Sequence, residues 1–360
     1  MAIPTIMGTE IEYGIIVKNS PEFDPISSCV LLVNAYREDP DGRILWDYDQ
    51  ENPLADARGF QVEGEKYTPN QQENIARNKT LINGARYYVD HAHPEYSCPE
   101  VTNARDLVMH EKAGERIMEI SRREATELLP QGALMLLHKN NSDRKGNSYG
   151  SHENHLMDRR ASFKRIVEHL LPFFATRQVF CGAGKVGSEN RGKSCDFQIS
   201  QRADFFETEV ALDTMVKRPI INTRDEPHAD REKYRRLHII VGDSNMSEYT
   251  IYLRSGVTAL ILSMIEDGAI DQDLVLRDPV RAIKEVSHDP SLKREIQLDN
   301  GKKMTGVEVQ SAFLEMALNL QKVSTTRTRN PSIVSYGLYF MILNHIESHC
   351  IILHHIISYH

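Results

Sequence analysis

Eight side chains in this sequence have the types and strand positions that metal and acyl chemistry need: Glu10, Glu12, Asp90, Glu95, His152, His238, Arg202 and Arg224. Glu10 and Glu12 set the theme. In Gly8-Thr9-Glu10-Ile11-Glu12-Tyr13-Gly14, read as a strand of period two, they fall on one face while Ile11, Tyr13 and Ile15 fall on the other. That places two carboxylates about 7 Å apart. Like charges so placed are costly unless a metal ion or an arginine neutralises them. The plainer alternative is an edge strand with a solvated acidic face. A second strand after the Asn83-Gly84 turn puts Arg86, Tyr88 and Asp90 on one face and Tyr87, Val89 and His91 on the other. Pro94 is expected to end that ladder and leave Glu95 exposed at its rim. Acids and histidines presented by several antiparallel strands on one concave face suit two or more Mg²⁺ ions and a nucleoside triphosphate, because hard cations prefer carboxylate oxygens and bridge phosphates. Arg202 and Arg224 would then balance phosphate or developing acyl charge. Taken alone, His238 reads more simply as a satisfied core histidine, sharing a strand face with Ile240.

The elements that must hold these groups follow from periodicity. Val30 to Tyr36 opens a short buried element after a loop. From 39 to 78 the chain is polar and broken by Pro40, Gly42, Pro53, Gly59, Gly64 and Pro69, which predicts a mobile segment over the site. An ordinary surface excursion is the alternative. Asn103 caps a helix carrying Leu107, Val108, Ile117, Met118 and Ala125 at helical spacing. Strands are expected at 133–138, 149–156 and 235–243, and helices at 160–176, 257–265 and 306–320, with helix-start character at Asn245-Met246-Ser247-Glu248 and a close at Gly268. The sum is an α+β fold in which helices pack an antiparallel β-sheet cradle.

Composition narrows the partners. The chain has 360 residues, 40% of them hydrophobic, enough for one large catalytic domain with a small appendage. Its net charge of −8 argues against nucleic acid or an anionic membrane as the main partner. Five cysteines, odd in number and without paired ligand spacing, support neither a disulfide framework nor a zinc ribbon and fit a reducing cytoplasm. No secretory signal is expected at the N-terminus. Gly187 to Ser194 matches the phosphate-loop pattern letter for letter, yet Cys195 to Ser200 alternates like a strand where a helix is required. It reads as a hairpin tip. Residues 326–360 form an atypical tail: Pro331 to His360 has no lysine or arginine, and five of the chain's fifteen histidines lie there. An amphipathic helix and a metal-binding tail are both conceivable, and the reading preferred is an altered reading of a truncated gene.

Seven stretches in order carry a resemblance: MGTEIEYGI at 7–15, NPLADARGF at 52–60, NGARYYVDHAHPEYS at 83–97, SYGSHENH at 148–155, FQISQRADFFETEV at 197–210, INTRDEPHAD at 221–230 and RRLHIIVGDSNMSEYT at 235–250. With these the sequence resembles the depupylases (Pup deamidases), relatives of the Pup ligases among the carboxylate-amine ligases of glutamine-synthetase-like fold. The resemblance covers 1 to about 325, which it makes the catalytic domain. It implies Glu10, Glu12 and Glu95 at the nucleotide and Mg²⁺ site, joined by His152 and His238 as metal ligands. Arg202 and Arg224 would contact phosphates or the acyl intermediate. Asp90 matches the essential aspartate, which either attacks the carbonyl or activates a water. The implied reaction is hydrolysis of the amide of Pup's C-terminal glutamine, or of the Pup-lysine isopeptide, with ATP as a fixed cofactor. Pup, pupylated proteins and the proteasomal ATPase are the implied partners. A Pup ligase is the runner-up, set back by GTEIEYG in place of the ligase's usual GIETEFG and by the segment around 52–60. A catalytically impaired Pup-binding homologue is the third reading, because the family's small C-terminal domain is not found.

Overall fold

The computed structural model describes residues 2–20, 24–37, 44–64, 66, 68–189, 193–213 and 217–324. The tail at 326–360, and the start of the segment from 39, lie outside the described residues. The organising element is a six-stranded sheet, antiparallel throughout. Its strands are β1 (Met7–Glu12), β3 (Asn78–Thr80), β4 (Arg86–Asp90), β5 (His93–Ser97), β7 (Ser151–Asp158) and β8 (Tyr234–Ile239), in the spatial order β8-β7-β1-β5-β4-β3. Between them in sequence, β2 (Gly14–Lys18) leaves this sheet to pair with β6 (Leu134–His138).

Period-two patterning sorts the two faces of the sheet. Ile11 joins Tyr87 and Tyr96 in a core with Leu32 and Val33 of helix α1 (Pro25–Ala35) and Ile117 and Met118 of α3 (Ala104–Glu127). The intervening helix α2 (Gln71–Arg77) precedes β3. With that face sealed by apolar side chains, the polar residues of the same strands face the other way. A second core gathers α4 (Phe163–Thr176), α5 (Glu248–Asp267), α6 (Pro279–Ser287) and α7 (Gly306–Ser324). At its centre, α5 is apolar nearly all round, as a helix buried on every side must be, and it ends at Gly268 with φ +70, a left-handed cap.

Several expectations are corrected. The first helix starts at Pro25, with Asp24 accepting from Ser27 N, so the supposed loop before Val30 is helical. The segment 39–78 has structure of its own in its described part: a hairpin of Ala55–Asp56 with Phe60–Gln61, and α2 opened by a capping box between Asn70 and Glu73. α5 begins at Glu248, where the helix-start signal of 245–248 lies, and runs unbroken through the buried stretch expected at 257–265. Pro94 does not end the ladder, and Glu95 is not exposed: only 2% of it is accessible. The Pro94 carbonyl accepts from Tyr13 N at 3.0 Å, so its nitrogen faces the β1 side, where pairing has already stopped at Glu12 opposite Glu95. The missing N–H costs only the end rung beside β1, while β5 stays paired to β4 with Val89 opposite Pro94, which is why a proline is tolerated. His91 is not on the strand at all; it turns at φ +52 immediately after Asp90.

The phosphate-loop lookalike behaves as a hairpin, Lys185–Val186 pairing antiparallel with Phe197–Gln198, and its described residues after 192 contain no helix. Glu189 is buried and accepts from Ser142 Oγ at 2.7 Å, an internal pin rather than part of an anion cradle. Cys29, Cys98, Cys181 and Cys195 are free thiols. Among the described residues no helix is long and apolar enough to cross a membrane.

Candidate active site

Register brings the acids together. Glu10 lies opposite Ser97 on one side and His152 on the other, Glu12 opposite Glu95, and Glu95 opposite Tyr88. Residues opposed across a ladder share a face, so the polar side of the sheet carries two clusters. Glu10, His152 and His238 can bring one ligand atom each within 4.8 Å of one another, and so can Glu12, Asp90 and Glu95.

The two clusters differ in how their charge is met. Glu10 is partnered inside the protein: its Oε1 accepts from Asn154 Nδ2 and Arg236 Nη2, both at 2.8 Å, and its Oε2 lies 3.3 Å from His152 Nδ1. Burial would raise its pKa, but Arg236, His152 and His238 together hold it well below the ordinary carboxylate value. His238 Nδ1 stands 2.9 Å from Asn154 Oδ1. Burial, and next Arg236, hold His238 well below the ordinary histidine value, so it is neutral, the form in which imidazole ligates metals. Its Nδ1 also lies 3.2 Å from Arg236 Nη2.

Glu95 is the opposite case. Burial, then the charges of Asp90, Glu12 and Glu10, push it well above its ordinary value, and its Oε1 is buried without a hydrogen-bond partner. Tyr88 supplies a hydrogen bond that acts the other way but does not outweigh them, and a buried carboxylate with one orphaned oxygen among other carboxylates is unfavourable in the protein alone. Glu12 is steadied by Gly150 N, which donates to its Oε2. Gly150 must be glycine: a Cβ there would stand 2.1 Å from His152 Nε2 and 2.7 Å from Glu12 Oε2.

Asp90 sits at the mouth of this arrangement. Its side chain is 37% exposed, and His91 Nδ1 lies 3.0 Å from its Oδ2. Burial raises it, but the His91 hydrogen bond and the His91 and His152 charges outweigh that and hold it below its ordinary value, so it is ionised at neutral pH. It opens on a cavity of about 740 Å³ that Glu10, Tyr88, His91, Arg224 and Arg236 also line. The segment before α2 roofs one end. There Arg86 is stacked between Trp46, 4.0 Å from its ring centroid, and Tyr88, at 3.9 Å, and donates to Glu51 at 3.2 Å. The other end of the roof is stitched to 222–226: Thr223 Oγ1 donates to Asp56 Oδ2 at 2.6 Å, and Asn52 N to Glu226 Oε1 at 2.6 Å.

The two arginines fall in different places. Arg224 lines the cavity with Asp90, and its Nε has no hydrogen-bond partner among the described residues. Arg202 is fully buried outside that lining, donating to the Ile240 carbonyl, to Gly242 O at 3.2 Å and to Ser148 Oγ at 3.1 Å. Its Nη2 is left unpartnered, and burial, with Arg218 beside it, lowers it to about 9. Arg236, Asn154 and Glu226 were not singled out from sequence. The signal for the first two was there: each stands two residues from a chosen histidine, Arg236 before His238 and Asn154 after His152, and so on the same strand face.

These groups fit Mg²⁺ and a nucleotide. The donor set is carboxylate with imidazole, the orphaned Glu95 oxygen needs a cation, and the unpartnered Nη2 of buried Arg202 needs an anion, while Arg224 Nε faces only Glu226 Oε2, at 3.8 Å.

Comparison with known proteins agrees with the architecture. The chain is 55% identical over 320 residues to a depupylase of Acidothermus cellulolyticus, an alignment spanning 87% of this chain and 63% of the relative. It is 47% identical over 322 residues to a Pup deamidase/depupylase of Mycolicibacterium smegmatis, spanning 88% and 64%. The chain therefore spans a little under two thirds of the length of these relatives. Among solved structures, the complex of Pup with its ligase PafA superposes with a TM-score of 0.73 at 32% identity, covering 96% of this chain and 64% of the other. PafA with ADP gives 0.65 at 34% identity, covering 81% and 67%. The Pup-ligase protein family matches residues 5–345. An α+β sheet cradle with this motif order, this acidic face and that match over nearly its whole length places the chain in the Pup-ligase family.

Proposed function

We propose that this chain is a hydrolase of side-chain amides on Pup, deamidating its C-terminal glutamine and cleaving the isopeptide bond between Pup and a substrate lysine, with Mg²⁺ and ATP as cofactors. The observation that carries the reading is Asp90: an ionised, partly exposed carboxylate opening on the cavity, beside the crowded pair Glu12 and Glu95. The 55% and 47% identical relatives, by their names, support hydrolysis, and the solved complexes support Pup and a nucleotide as ligands.

In this reading residues 1–325 form the catalytic domain. Glu10, Glu12 and Glu95, with His152 and His238, hold the metal, and Arg202 and Arg224 hold phosphate oxygens or the oxyanion that develops on the amide carbonyl. Bound Mg²⁺ and nucleotide would supply the positive charge and anchoring phosphates of the site. Asp90 Oδ1 attacks the carbonyl carbon, or takes a proton from a water that attacks it. In the first course the amine leaves with a proton, an anhydride joins Asp90 to the glutamyl side chain, and water opens it to two carboxylates. In the second no covalent intermediate forms. Pupylated proteins are the substrates, the proteasomal ATPase a partner, and the cytoplasm the compartment.

A second reading is kept for one reason: the superposed solved structures are Pup ligases. The test is a purified Pup-lysine conjugate incubated with the chain, Mg²⁺ and ATP. Release of free Pup supports the hydrolase. Joining of Pup-glutamate to a lysine protein with ADP formation establishes the ligase instead.

A further inference from the structure

We propose that His91 is a positioning residue, held in a strained turn so that its imidazole fixes the Asp90 carboxylate for attack on the amide carbonyl. The inference rests on the reading of Asp90 as the catalytic carboxylate given above.

β4 and β5 are joined by just two residues, His91 and Ala92, between the opposed pair Asp90 and His93. His91, the first of them, lies at φ +52. At the first position of so short a connection a positive φ is the province of glycine, asparagine and aspartate. A histidine adopts it only at a conformational cost, and such outliers persist where something else requires them. What accompanies the outlier here is a contact. The turn swings Nδ1 to 3.0 Å from Asp90 Oδ2, while 64% of the His91 side chain stays exposed and the residue lines the cavity.

The contact engages a single carboxylate oxygen. Among the described residues Asp90 has no other side-chain hydrogen bond, so with Oδ2 held, Oδ1 is the oxygen presented to substrate. The neighbouring His93 does something else: its ring stacks on Tyr149 at 4.4 Å and its Nδ1 faces Glu12 Oε1 at 3.7 Å. Of the two histidines flanking Ala92, only His91 addresses Asp90. So exposed a pair adds little to folding stability, which leaves orientation as its use.

The test separates strain from function. His91→Gly relieves the backbone and removes the donor; His91→Asn tolerates the left-handed turn and offers an amide N–H near the place of Nδ1. For deamidation of Pup ending in glutamine, His91→Gly should keep or raise Tm, lower kcat about tenfold or more and leave KM within about twofold. His91→Asn should recover most of the lost kcat. A His91→Gly enzyme with wild-type kcat, a loss confined to KM, or an asparagine no better than glycine would overturn the proposal. A readout free of activity accompanies it: ¹⁵N spectra of the histidine rings, with His91 assigned by its absence in His91→Asn. The His91 ring signals should move in Asp90→Asn, and their staying put would refute the contact outright. A wild-type protein inactive on Pup would defeat the proposed function, while the ring spectra would still decide whether His91 holds Asp90.

Discussion

Glu95 and Glu10 show how two carboxylates on one sheet face acquire opposite character. Glu10 is met from within by Arg236, Asn154 and His152; Glu95 has a Tyr88 hydrogen bond but stands among the charges of Asp90, Glu12 and Glu10 with one oxygen orphaned. An acid whose folded value is raised loses its favourable contribution as pH climbs above the unfolded value, because the folded state then must give up a proton it prefers to hold. Glu95 therefore weakens the metal-free protein at neutral pH. Glu95→Gln should raise Tm without Mg²⁺, most visibly above about pH 5, and should blunt the further rise that Mg²⁺ and ATP give the wild type, as thermal melts with and without them would record. A metal-free Glu95→Gln protein less stable than wild type across that range would contradict this account of the site.

The strands were legible where period two puts acids on one face and Ile11, Tyr87 and Tyr96 on the other, since that alternation is local and the sheet obeys it. Glu95 was misplaced because Pro94 reads locally as a terminator; where β1 pairing stops, at Glu12, is a fact of register and invisible in sequence. Neither the Arg86 stack nor the stitches of Asp56 and Asn52 to Thr223 and Glu226 could be seen, because they join residues far apart in the chain. That roof makes an element-scale prediction. Arg86→Ala removes a guanidinium held between two aromatic rings and should cost about 1–2 kcal/mol. Hydrogen exchange should rise over residues 46–61 more than in β1. Uniform loss of protection across both would show that the roof is not anchored through Arg86.

At the scale of the whole molecule, the six-stranded sheet and the helical core are tied by buried charge. Glu153, on the face of β7 opposite His152, accepts from Arg177 Nη2 at 2.7 Å and faces Arg254 Nε at 3.7 Å, and Arg254 also reaches Glu111 at 3.2 Å. Burial raises Glu153, but Arg177, His155 and Arg254 bring it down to about 2. A depressed acid stabilises the fold above its unfolded value, near 4.5, and that stability drains away as pH falls toward 2. Glu153→Gln leaves two arginines short of a partner and should cost about 3–5 kcal/mol at pH 7, with a flatter decline between pH 5 and 3 than wild type in denaturant titrations. The central claim is that the acidic face, with Asp90 at its mouth, hydrolyses a side-chain amide of Pup. Its most direct test is the intact mass of Pup ending in glutamine after incubation with this chain, Mg²⁺ and ATP, with Asp90→Asn alongside. A gain of about one dalton, dependent on nucleotide and absent in Asp90→Asn of wild-type Tm, is the predicted result; unchanged Pup from the folded wild-type protein, or the same gain with Asp90→Asn, would contradict it.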